Sequence, residues 1–545
     1  MHFGKTTGHL SIILALVSLG SPAVAGEGSG QTQQHSQSLG TVSFQADCTD
    51  TAQGHFDQGL ALMHHMMYEQ ARGAFEQVLQ ADPECAMGHW GVATSLFQPL
   101  WDTRPETSQL ERGWHHSEQA MELAEAPRER ALIEATSAFF YNPTGDLGYH
   151  NRLGTWADAM AAAFQTAPED EDVAALYALS RMTLAQQAET AERHALLDEA
   201  EMVLRRVHLE LPRHPGAIHY SIHATDADGR AENALDKVTV YGEIAPEVPH
   251  ALHMPSHIYV RLGDWPQVIE WNQRSASAAA QDMVNGQVSA HYIHAMDYLL
   301  YAFLQQGEDE QAREVWQVSR ENSPHQASFI SAFHLAAMPA RLSVEQRQWR
   351  EARALTPQVP DHQPWEEARW AEAITWFARG LGALHGDNMA GAEAAEERLH
   401  QLREMARDDG DEHFATYIDT DRRILSAWRA YFNDDPQQAI NTMRSAVELE
   451  QSIEKHPVTP GAIMPPSEAL GDLLLAQDQA ADALQAYQNA NRIWPGRYHT
   501  LLGAARAAHA AGETDTAREY YQQLLDQAGE SQRPEIAEAA DYVGA

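Results

Sequence analysis

Small and aromatic residues return along this chain at a fixed spacing of 34 positions. Gly59, Leu62, Ala71, Phe75 and Pro83 take places 8, 11, 20, 24 and 32 of a frame over residues 52–85, and Gly471, Leu474, Ala483, Tyr487, Ala490 and Pro495 repeat the pattern over 464–497. Ala517 with Tyr521, and Ala312 with Trp316 in YLLYAFLQQGEDEQAREVW, match it in part. Ala, Leu and aromatic residues recur at helical spacing after residue 52, and few stretches alternate with period two, so each unit reads as a pair of helices. Such a unit cannot bury its apolar face alone and must stack on its neighbours. A chain of 545 residues, several times an ordinary domain, suits an extended array.

These positions resemble the tetratricopeptide repeat family, clearly at both ends and more loosely between residues 150 and 450. The resemblance implies an all-α fold, a right-handed α-solenoid of antiparallel helix pairs, with the first helix of each pair on the concave face. Expected blocks are N-terminal repeats over 52–150, central histidine-rich repeats over 151–345 and C-terminal repeats over 346–545.

Ahead of the repeats, MHFGKTTGHLSIILALVSLGSPAVAGEG has Lys5, an apolar run from Leu10 to Leu19 and the Ala23-Val24-Ala25 signal. Residues 1–25 are therefore expected to be a signal peptide cleaved after Ala25, which makes the protein periplasmic or secreted. The apolar run falls short of the roughly 20 residues a membrane span requires. Residues 26–51 are polar and expected to form a flexible leader. Cys48 and Cys85 are the only cysteines. In an exported protein they are either one disulfide tying the leader to the first repeat or two buried thiols. With 37 basic against 77 acidic residues the formal charge is -40, which argues against nucleic acid, whose phosphates require a basic face.

Three segments concentrate histidine: HPGAIHYSIHATD, HALHMPSHIYVRLGDW and HYIHAMDYLLYAFLQQG. His219 with His223 and His253 with His257 are four apart, and His291 with His294 three apart, so each pair shares one helix face. His219 to His253 and His223 to His257 both span 34 residues, one repeat, while His253 to His291 and His257 to His294 span 38 and 37. Residues one repeat apart lie above one another on helices about 8 to 10 Å apart, so the six are expected to form a two-by-three patch on the concave wall. Imidazole suits a transition metal ion such as Cu, Zn or Fe, and three imidazoles leave a coordination position open. Asp226, His250, Met254 and Asp297 are further candidates, as ligands or as groups that orient the imidazoles.

HMPSHIYVRLGDW, HPGAIHYSIHA and PSEALGDLLL resemble a histidine-rich group of exported bacterial tetratricopeptide proteins, a likeness that implies no activity. Two functions are expected to compete. One is a metalloprotein, as a metal-dependent oxidoreductase or hydrolase acting on a small molecule. The other is a scaffold that holds a peptide or protein partner in its groove.

Overall fold

A computed structural model describes residues 38–101 and 104–544, so the expected signal peptide and residues 26–37 of the leader lie outside the described residues. Helix follows helix from Asp50 onward, and successive helices pack as antiparallel pairs through to Pro534–Gly544. Ser38–Ala545 form one unit. Among the described residues, strand is confined to Met283–Val284 and Gln287–Val288, an antiparallel hairpin. No helix among them is long and apolar enough to cross a membrane.

The recurring residues make the contacts between and within the pairs. A Cβ added at Gly59 would lie 2.8 Å from the Phe75 ring, and one at Gly91, on the next helix, 2.2 Å from the same ring. At the other end Gly471 and Gly503 stand in the same relation to Tyr487, at 2.7 and 2.3 Å. The aromatic residue at place 24 thus fills the space that a glycine of its own pair and a glycine of the next pair leave open, which is why the spacing survives.

Residues 38–49, most of the described part of the expected leader, are seated rather than loose. The Phe44 side chain is buried, the Ser43 and Phe44 amides both donate to Asp172 Oδ2 at 2.9 Å, and the Thr41 amide donates to the Arg213 carbonyl. An apolar anchor and a buried carboxylate outweigh the polar composition on which the flexible reading rested. Cys48 and Cys85 are joined in a disulfide, 37 residues apart. Changing both cysteines to serine is expected to cost about 3 to 4 kcal/mol through the freed loop, measured as a lower melting midpoint under non-reducing conditions.

The inner helices of the central repeats are Pro215–Thr225, the consecutive pair Pro249–His253 and Pro255–Leu262, then Ala290–Gln305 and Phe329–Glu345. Prolines at the first turn start three of these helices, where the missing amide is not needed. The turns after them carry residues with positive φ, at Gly263, Gly307 and Arg347. The array also curls until distant repeats touch. The Trp265 indole donates to the Gly496 carbonyl at 2.8 Å, and Arg104 pairs with Asp411. Residues 455–464 then run along the inner helices: the Tyr298 hydroxyl donates to the Pro457 carbonyl at 2.9 Å, and Arg341 donates to the Gly461 carbonyl and the Thr459 hydroxyl, both at 2.8 Å.

Candidate metal centre

The histidines of the inner helices meet as two triads, His219 with His223 and His250, and His253 with His257 and His294. Within each triad one ligating atom per residue lies within 4.8 Å of the others. Each combines an i,i+4 pair, on Pro215–Thr225 in the first and across the junction of Pro249–His253 and Pro255–Leu262 in the second, with a single histidine from the next repeat. The triads adjoin, with the His223 and His257 rings 5.6 Å apart and the His250 and His253 rings stacked at 6.1 Å.

This arrangement departs from a two-by-three patch because the third repeat is longer. The hairpin at 283–288 lengthens the distance between the turns at Gly263 and Gly307 to 44 residues. His250, His294 and His334 each stand 13 residues before the positive-φ residue at Gly263, Gly307 or Arg347, so they are the equivalent positions. His291 lies one turn further toward the start of its helix and joins neither triad; His294 stands beside His253, rings 4.2 Å apart, where the spacing of 38 places His291, and His250 completes the first triad. Met254 joins the two short helices and is buried in the apolar core, away from ligand duty.

Partners on the far side of four rings, His219, His253, His257 and His294, fix which nitrogen carries a lone pair. Asn272 donates its amide to the Val268 carbonyl at 2.7 Å, so its oxygen faces His253 and accepts from Nδ1 at 2.7 Å. His257 donates from Nδ1 to Asp226 Oδ2 at 2.8 Å. His294 Nδ1 lies 2.7 Å from His334 Nε2, and His334 Nδ1 donates to Asp297 Oδ2 at 2.9 Å, which leaves His334 to accept and His294 Nε2 bare. In the first triad His219 donates from Nδ1 to the His64 carbonyl at 2.6 Å. Its Nε2, His223 Nε2 and both ring nitrogens of His250 are buried without a hydrogen-bond partner.

One contact has no ordinary explanation. His253 Nε2 and His257 Nε2 stand 3.0 Å apart, yet both Nδ1 atoms already hold the ring proton, so two lone pairs face each other. Protonating one ring would relieve this, but burial keeps both below the usual imidazole range, for His257 against the pull of Asp226. Burial, reinforced by neighbouring imidazoles, holds His219, His250 and His294 well below it too, and lowers His223 to about 3. Neutral imidazoles with converging lone pairs are what a metal ion requires and what an empty apolar core does not tolerate.

Asp226 and Asp297 act behind the triads. Burial would raise the Asp226 carboxyl, but Lys455, Arg261 and His257 hold it well below the carboxylate range. Arg341 and His334 likewise outweigh burial at Asp297 and lower its carboxyl below the usual value. Tyr298 packs edge-on against His253 at 4.5 Å. A cavity of about 20 Å³ opens onto His223, His250, His257 and His294 and is walled by Leu100, Trp101 and Pro457.

His334, Asn272, Tyr298 and Trp101 were not foreseen. His334 had a readable signal, its 40-residue spacing from His294; the others carry none.

A third group, His64 with Asp172 and His214, is of another kind. Both rings bind Asp172 Oδ1 through Nε2 at 3.0 Å, while His64 Nδ1 meets the Tyr220 hydroxyl and His214 Nδ1 accepts the Ala217 amide. Every nitrogen is satisfied, and the cluster seats the 38–49 strap.

The family model for the tetratricopeptide repeat matches residues 499–531. No curated protein matches the chain. Among solved structures, a human IFIT1 dimer with PPP-AAAA is similar at 13% identity over 89% of this chain and 96% of that one, with a TM-score of 0.40. Yeast Tom70 is similar at 11% identity over 90% of this chain and 95% of that one, with a TM-score of 0.30. Neither likeness bears on what this chain binds.

Proposed function

We propose that this chain, which carries tetratricopeptide repeats, is an exported metalloprotein whose two histidine triads each hold one transition metal ion. The facing lone pairs of His253 and His257 carry the reading. Six neutral nitrogen donors with no thiolate or carboxylate among them suit copper, zinc or iron and disfavour calcium or magnesium.

Three ligands leave each ion a coordination position, and a cavity of about 20 Å³ is room for one or two waters or a diatomic molecule. The protein's part is to exclude bulk water, to fix the imidazole tautomers through Asn272, Asp226 and the His334–Asp297 pair, and to leave small reactants access. Zinc there supports hydrolysis and copper supports oxidation or reduction.

The scaffold alternative loses ground to one observation: residues 455–464 already run where a bound peptide would lie on the inner helices.

Metal analysis of untagged protein is the test. About two equivalents are expected, one for each site of three imidazoles. Less than about a tenth of an equivalent, unchanged after reconstitution, would overturn the proposal, because such sites bind tightly at neutral pH.

A further inference from the structure

Five of the six triad imidazoles are buried, His219, His250, His253 and His257 each exposed by 2% or less, and His223 alone is partly exposed. An ion must therefore cross protein to reach them. Two depressions approach the small cavity, and they differ in charge.

The first, about 570 Å³, is bordered by Glu69, Glu106, Glu366, Glu367, Asp409 and Asp411 against one cation, Arg104, which is itself paired with Asp411. His291 stands at its floor, half-buried, its Nδ1 buried without a hydrogen-bond partner. The His291 ring lies 5.3 Å from that of His250, whose nitrogens are both unpartnered. Trp101 and Ile330 border both this depression and the small cavity. The indole sits 5.3 Å from His291, 4.9 Å from His250 and 6.2 Å from His294, and donates to Met66 Sδ at 2.9 Å. The second approach, a cavity of about 80 Å³ that reaches His223, leads past His413 and His456 and sets Lys455 and Arg193 against Asp226 and Glu454, so its charges balance and give a cation no net attraction.

We propose that the acidic depression is the loading port of the metal centre, and that His291 receives the incoming cation and passes it beneath Trp101 to His250. This rests on the metal reading above. The carboxylates concentrate cations at the mouth. His291 then offers a first nitrogen donor at the boundary between solvent and core, and the Met66 thioether offers a soft one beside it. The hand-over is a ligand exchange with no change in charge or oxidation state, since His250 reaches the same ion with a lone pair before His291 releases it. His291 thus belongs to the centre by timing rather than by final coordination, which accounts for a histidine kept in the same segment yet off both triads.

The test is the rate at which the metal-free, full mature chain takes up Zn²⁺, followed against a chromophoric chelator. His291→Gln is expected to slow uptake about tenfold, the scale on which such a path acts, while final stoichiometry stays that of the wild type. Glu366→Lys with Glu367→Lys is expected to slow uptake at low salt and to converge with the wild type at about 1 M salt, where exposed charges are screened beyond roughly 3 Å. His413→Phe is expected to load at the wild-type rate. Wild-type uptake in His291→Gln would overturn the port. So would a lost equivalent of zinc, which would make His291 a resident ligand, or slower uptake in His413→Phe, which would place the route on the opposite side. A wild-type chain that takes up no zinc fails the metal reading itself, an outcome distinct from an unchanged rate at full stoichiometry.

Discussion

Replacing Asp226 by Asn is expected to destabilise the protein by about 3 to 5 kcal/mol, the scale for breaking a buried ion pair from one side. The carboxylate is buried and serves three partners at once: His257 Nδ1 at 2.8 Å, Arg261 Nε at 2.8 Å and Lys455 Nζ at 3.0 Å. An amide of the same shape keeps the volume but, among the described residues, leaves Lys455 with no carboxylate at ion-pair distance and Arg261 with Asp228 and Glu454 at its outer side. The loss should appear as a lower melting midpoint and as faster proteolysis near residue 455, because Lys455 anchors the inner segment to the Pro215–Thr225 repeat. Adding Lys455→Met should restore part of the loss, since it removes the stranded charge; a double change no better than the single one would show that the lysine is not held by this pair. The exposed pair Arg112–Glu76 is the contrast, and Glu76→Gln should cost less than about 1 kcal/mol.

The same residues show what a sequence can and cannot reveal about such a centre. His219, His223, His253 and His257 were legible because the two repeats that carry them keep the 34-residue period, so phase in sequence is phase in space. His294 was found and misaligned, since the added hairpin shifts the count without moving the helix. Asn285-Gly286, both with positive φ, is a hairpin turn signal that would have located the insertion and returned His250 to its place beside His294 and His334. Asn272, on the outer helix Trp265–Ala279, has no such signal, because its role depends on a rotamer and on the Val268 carbonyl. Trp101 and residues 455–464 reach the centre only because the array curls on itself, a property of accumulated small rotations that no local pattern encodes. The leader misread has the same origin: Asp172, which holds Ser43 and Phe44, lies more than a hundred residues away.

Single ligand changes should separate the two ions. His219→Ala removes one imidazole of the first triad and leaves the second intact, and His257→Ala does the reverse. Two imidazoles hold an ion far less well than three, so each variant is expected to keep about one equivalent where the wild type keeps about two. His115→Ala, on an exposed side chain that belongs to neither triad, should keep the full amount. Asn272→Ala tests the layer behind: it frees the His253 tautomer without touching a ligand, and loss of such a partner weakens metal binding by about 10- to 100-fold. The pair His253 and His257 makes a further demand on the metal-free protein. With nothing between them the facing nitrogens repel, so His257→Ala should lose less stability on metal removal than the wild type does, read as the shift in melting midpoint with and without a chelator. An equal shift in both proteins would mean that the 3.0 Å contact is relieved by a proton and that the ion, if bound, sits elsewhere.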